Sequence, residues 1–149
     1  MDNIIVYLDD AAYALHILQP MLAAGEARTP TRWILVGCAP RVTHHVSKWV
    51  THSAREGWRR KWGDKVFAQV LPLVQQEGDA AMTLLAENKL CSQTESLIRQ
   101  HGAARVLDAR RPKFGQDLQP VTATQAQEHH GVLGYAAALA GAGLLVATD

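Results

Sequence analysis

The chain has 149 residues, 48% of them apolar, and its 15 Lys and Arg against 14 Asp and Glu leave a formal charge of +1. That length suits one compact domain, so residues 1–149 read as a single unit. The near-neutral balance excludes disorder driven by charge and global attraction to nucleic acid or acidic lipid, and two cysteines are too few for a disulfide scaffold.

The first segment, NIIVYL over Asn3 to Leu8, is a short apolar run rich in β-branched residues, the pattern of a strand buried on both faces. After Asp9 and Asp10, apolar residues at Tyr13, Leu15, Ile17, Leu18, Met21 and Leu22 recur at helical steps, with Asp10 placed to cap the start. Pro20 predicts a kink or an early end. WILV over Trp33 to Val36 predicts a second strand, closed by Gly37 and Pro40.

Residues 43–78 read as a long helical tract that Gly57, Gly63 and Pro72 divide into two helices or one broken helix. Its apolar stripe is Trp58, Trp62, Val66, Val70, Leu73 and Val74. Ala81 to Ala86 predicts a third strand, and Cys91 to His101 a short helix with Leu97 and Ile98 inward and Gly102 as its stop. Ala104 to Ala109 is the fourth strand. A polar loop then leads to a helix over roughly Gln125 to Ala140 and a closing strand, Leu144 to Ala147. The stretch from Gly131 to Thr148 carries no charge, but its alanines and glycines favour a small-residue helix feeding a strand over a membrane span.

Strict alternation of strand and helix predicts an α/β fold, an open five-stranded parallel sheet with helices on both faces. Ligands of such sheets collect beyond the C-terminal ends of the strands, where the winding direction reverses. Asp9, Asp10, Arg110 and Arg111 share that rim and are the candidate ligand-binding residues. A carboxylate there accepts bonds from a ribose or base, and guanidinium groups meet phosphate. The alternative is that Asp9, Asp10 and Asp108 pair with these arginines or cap helices.

Other constellations carry less. His44-His45 and His129-His130 sit where loops enter helices, but neighbours on a helix point about 100° apart, so no metal site is expected. Cys38 and Cys91 lack CxxC spacing and read as ordinary buried thiols in a reducing, cytoplasmic setting. Arg55, Arg59, Arg60, Lys61 and Lys65 interleave with Trp58 and Trp62, which an amphipathic helix with inward tryptophans produces without any nucleic acid. GxSxG, P-loop, HExxH and GxGxxG patterns are all absent.

The segments IIVYLDD (Ile4 to Asp10), AAYAL (Ala11 to Leu15), WILVGCAP (Trp33 to Pro40), the long helical tract and LIRQHGAARVLDARR (Leu97 to Arg111) together resemble a universal stress protein domain over most of the chain. That resemblance implies a role in stress response, a homodimer paired through the C-terminal strand, and a first-strand aspartate, here Asp9, that contacts the adenosine part of ATP in one branch of the family. The glycine motif of that branch is missing: ARRPKFGQDLQPVTATQ offers Gly115 alone, so the likeness is to a divergent member without it. The expected function is a non-catalytic binding or regulatory module for a nucleotide-like or anionic small molecule, with no resident cofactor and no nucleic-acid or membrane partner. The rival is a nucleotide or phosphate hydrolase on the same fold, using the acids and histidines of the rim.

Overall fold

The computed structural model describes residues 1–23, 29–40, 51–113, 118–129 and 144–147. The chain order is β1 (Asp2–Leu8), α1 (Ala11–Ala23), β2 (Thr31–Gly37), α2 (His52–Val74), β3 (Ala80–Leu85), α3 (Leu90–His101), β4 (Ala104–Ala109), α4 (Ala123–His129) and β5 (Leu144–Ala147). The strands lie side by side as β3-β2-β1-β4-β5. β1 pairs parallel with β2 and β4, and β2 pairs parallel with β3, which makes a four-stranded parallel core.

The fifth strand corrects the all-parallel expectation. β5 runs antiparallel to β4, with Leu107 opposite Leu144 and Ala104 opposite Ala147. Leu144 therefore begins beside the end of β4, so the chain between them leaves and returns at the same end of the sheet. An antiparallel edge strand on a parallel core is a common arrangement because no full crossover is required.

Alternation along the strands divides the interior into two cores. Ile4, Val6 and Leu8 join Trp33, Leu35, Leu107 and Ala109 on the face covered by α1 and α2. Ile5, Tyr7, Ile34, Val36 and Val106 lie on the other face, against Leu90, Leu97 and Ile98 of α3. The sheet thus has helices on both sides, and β1, buried on both faces, is its centre. The buried Tyr7 hydroxyl is satisfied by the Leu90 carbonyl and Thr94 Oγ1.

Two helices run through residues that were expected to break them. α1 continues past Pro20 to Ala23, because the bond that proline removes falls in the last turns of the helix, on its exposed side. α2 is one helix of 23 residues, capped by Thr51, whose hydroxyl accepts from the Ala54 N–H at 3.1 Å. Gly63 lies inside α2 and packs closely on β3: a Cβ built there would come within 2.8 Å of Leu85 Cδ2, a methyl that the leucine side chain can move aside. Pro72 lies in the final turn, where the N–H it lacks removes a single bond near the helix end.

The buried line of α2 is Gly63, Val66, Phe67, Val70 and Val74. Trp62 packs against the core, but Trp58 is 45% exposed and Leu73 is 61% exposed, so the expected stripe is rotated toward Phe67. Trp58 precedes Val66 by eight residues, which carries it about 80° around the helix and off the buried line. α3 stops as expected at Gly102, whose φ of 94° suits glycine and whose N–H bonds the Ile98 carbonyl at 2.8 Å. The start of the expected helical tract, residues 43–50 with His44 and His45, the predicted helix beyond residue 129, the segment 131–143, and Gly115 and His130 lie outside the described residues.

Candidate functional site

From β1 the chain winds outward to β2 and β3, while β4 lies on the opposite side of β1. The winding direction therefore reverses between β1 and β4, the point beyond whose C-terminal strand ends sheets of this kind bind ligands. In register, Leu8 stands beside both Gly37 and Ala109. Asp9, Cys38 and Arg110 consequently leave the sheet at one level. The Cys38 N–H donates to the Leu8 carbonyl at 2.7 Å and the Ala86 N–H to Gly37 at 2.8 Å, which extends the sheet one step toward this rim.

Asp9 and the residues after β4 do meet. The backbone N–H of Arg111 donates to Asp9 Oδ1 at 2.8 Å, across the switch point. Burial raises the Asp9 carboxyl above its ordinary value, and the Arg111 bond and the charges of Lys113 and Arg110 only partly counter that. A carboxylate held half-buried with one oxygen bonded is a ready acceptor for a ligand hydroxyl or amine. Arg111 and Lys113 are exposed at the same mouth. Lys113 was not among the residues singled out from the sequence; its signal was its place two residues after Arg111 on the loop leaving β4.

Asp10 and Arg110 are occupied by the fold itself. Asp10 Oδ2 accepts from the Tyr13 N–H at 2.8 Å and its carbonyl from Ala14 at 3.0 Å, the N-cap of α1. Arg110 is buried and forked onto Asp108, with Nε to Oδ1 and Nη2 to Oδ2 each at 2.8 Å, and Nη2 also donates to the Gln119 carbonyl at 2.5 Å. Burial opposes its charge, but the hydrogen bonds and Coulomb attraction of Asp108 more than offset this and hold the guanidinium above its ordinary value. Gln125 Nε2 completes Asp108 at 2.7 Å, and Gln125 Oε1 accepts from Val121 N–H at 2.7 Å. This network clips the loop after β4 to the start of α4.

Burial disfavours the charged form of both thiols. Burial pushes Cys38 up to about 12, and Cys91, raised by burial as well, donates to the Pro120 carbonyl at 3.2 Å. Among the described residues no group of His, Cys, Asp and Glu is arranged to hold a metal ion, and no helix is long and apolar enough to cross a membrane. For hydrolysis, a rim acid must reach a water. Among the described residues Asp108 has both oxygens bonded, whereas Asp9 and Asp10 each have one bonded.

Comparisons with family models, with curated proteins and with solved structures found no match to this chain. The universal stress protein likeness therefore rests on the sequence pattern quoted above.

Proposed function

We propose that the crevice between β1 and β4 binds a small nucleotide-like or anionic molecule, and that the chain works as a non-catalytic binding or regulatory module of the universal stress protein kind. The observation that carries this reading is the Asp9–Arg111 contact at the switch point of a doubly wound sheet. Asp9 accepts from the sugar or base, and the exposed Arg111 and Lys113 side chains meet the anionic part. Arg110 and Asp10 act indirectly, by fixing the loop and the helix that wall the crevice. Lacking the glycine cradle, the site holds phosphate through side chains, and its affinity falls as salt is added.

Thermal unfolding with AMP, ADP, ATP, GTP and inorganic phosphate tests this. Ligand at a hundred times its Kd stabilises by about 2.7 kcal/mol, a Tm rise of about 5–10 °C for a chain of this size. Arg111→Ala and Asp9→Ala remove the rise while leaving the protein folded. A wild-type protein that shows no rise with any of these compounds overturns the proposal.

A further inference from the structure

β3 is the outer strand of the sheet on the side away from β4. The Ala86 N–H bonds Gly37 of β2. In a parallel ladder alternate residues turn both backbone groups to the same side, so Ala80, Met82 and Leu84 face β2 while Ala81, Thr83 and Leu85 face outward. The upper end of this outer edge is closed by one side chain. Gln93 donates from Nε2 to the Leu85 carbonyl at 3.1 Å and accepts at Oε1 from the Glu87 N–H at 2.9 Å, as a neighbouring strand would. The lower end is closed by the turn before β3, where Asp79 N–H bonds the Gln76 carbonyl at 3.0 Å and Gln75 Nε2 bonds the Asp79 carbonyl at 3.2 Å. Between these closures the N–H and C=O groups of Ala81 and Thr83 have no hydrogen bond among the described residues.

The geometry points to a second copy of this chain as the occupant, paired antiparallel along β3 with a twofold axis at Met82. In that register Ala81 faces Thr83 of the second copy and Thr83 faces its Ala81, so the open donors and acceptors of these two residues meet one another. Neighbouring registers fail on named groups. Centring on Thr83 sets Ala81 against Leu85, whose carbonyl Gln93 already holds, and sets Asp79 against Glu87. Centring on Ala81 sets Thr83 against Asp79, both of whose groups the turn holds.

The strand is also compatible with itself chemically. AAMTLL has no charge to repel its copy, and it lacks the lysine, proline or bulge that ordinarily guards a free edge. Met82, 36% exposed, would be covered by its twin. This edge is opposite the one that carries β5, so the pairing is separate from a contact through the last strand and independent of any ligand at the crevice.

The test combines a register-specific cross-link with edge-blocking variants. Paired residues at a non-hydrogen-bonded site have Cα atoms about 4.5 Å apart, within disulfide range, whereas Thr83 and its twin would be about 8–9 Å apart, beyond it. Mild oxidation of Met82→Cys in a Cys91→Ser background is expected to give a covalent dimer, and Thr83→Cys in the same background is not. Thr83→Pro removes an outward N–H without touching the β2 ladder, and Thr83→Lys adds a charge at an exposed position; both are expected to be folded monomers by circular dichroism and light scattering. A monomeric wild type at high micromolar concentration overturns the proposal. So does a dimer that persists in both Thr83 variants, or an assembly that Thr83→Pro dissolves but Met82→Cys fails to cross-link.

Discussion

Replacing Arg110 is expected to cost fold stability before it costs any ligand. Its side chain is 4% exposed and that of Asp108 8%, and the guanidinium makes two bonds of 2.8 Å to the carboxylate and one to the Gln119 carbonyl. Arg110→Ala leaves Asp108 buried with only Gln125 at 2.7 Å and the backbone N–H of residue 110 at 3.2 Å. Removing one partner of a buried, hydrogen-bonded ion pair costs about 3–5 kcal/mol, a large part of the roughly 5–15 kcal/mol that holds a domain folded. For a chain of this length that lowers Tm by about 6–20 °C. Urea and thermal unfolding of Arg110→Ala, Asp108→Ala and the double variant measure the pair directly. Two groups that act as a unit give a coupling of about 1–3 kcal/mol, so the double variant costs less than the sum. Additive losses, or an Arg110→Ala protein as stable as wild type that no longer takes up nucleotide, would refute the assignment of Arg110 to the fold.

The glycines separate by what surrounds them. Gly37→Ala places a Cβ 2.9 Å from Phe67 and 3.1 Å from Trp62, ring atoms with little room to yield, and is expected to cost about 1–3 kcal/mol by denaturant unfolding. Gly57→Ala meets nothing within 4 Å and is expected to gain about 0.5–1 kcal/mol in the same assay. Tyr7→Phe deletes a hydroxyl shared with Leu90 and Thr94, while Thr94 keeps its own 3.0 Å bond to the Leu90 carbonyl, so a loss of about 0.5–1.5 kcal/mol is expected. Because burial raises the Asp9 carboxyl above 3.8, its contribution to stability is complete below that pH and is lost as pH rises through the folded value. Asp9→Asn keeps an acceptor for the Arg111 N–H, so it is expected to be slightly more stable than wild type at pH 7, by under about 1 kcal/mol given solvent screening, and indistinguishable below pH 3.8. Urea midpoints from pH 3 to 7 check this, and a less stable Asp9→Asn at neutral pH would contradict it.

The parallel core was legible because its information is local. A β-branched run such as Ile4 to Tyr7 has one comfortable environment, between two layers of helix, and the alternation of runs fixes which ends share a rim. The Asp10 cap and the Gly102 stop were legible for the same reason. Strand direction at the edge was not, since Leu144 to Ala147 reads identically in either sense and only its pairing with β4 decides. Nor was the close packing of α2 on β3 at Gly63, because it involves Leu85, which is distant in sequence. At the rim, sequence order placed Asp9 near Arg111 but did not separate them from Arg110. A signal for that separation existed: Asp108 and Arg110 are two residues apart in extended chain, on one face, where a fork can close on a carboxylate.

The most direct test of the account is a map of where nucleotide acts. Backbone amide spectra of labelled protein, recorded on titration with AMP and ATP, are predicted to shift at Asp9, Asp10, Cys38, Arg110, Arg111 and Lys113, and to stay fixed at Asn3, Asp79 and His101 on the far edge of the sheet. Spectra unchanged at millimolar nucleotide, or changes gathered at that far edge, would contradict a binding crevice between β1 and β4.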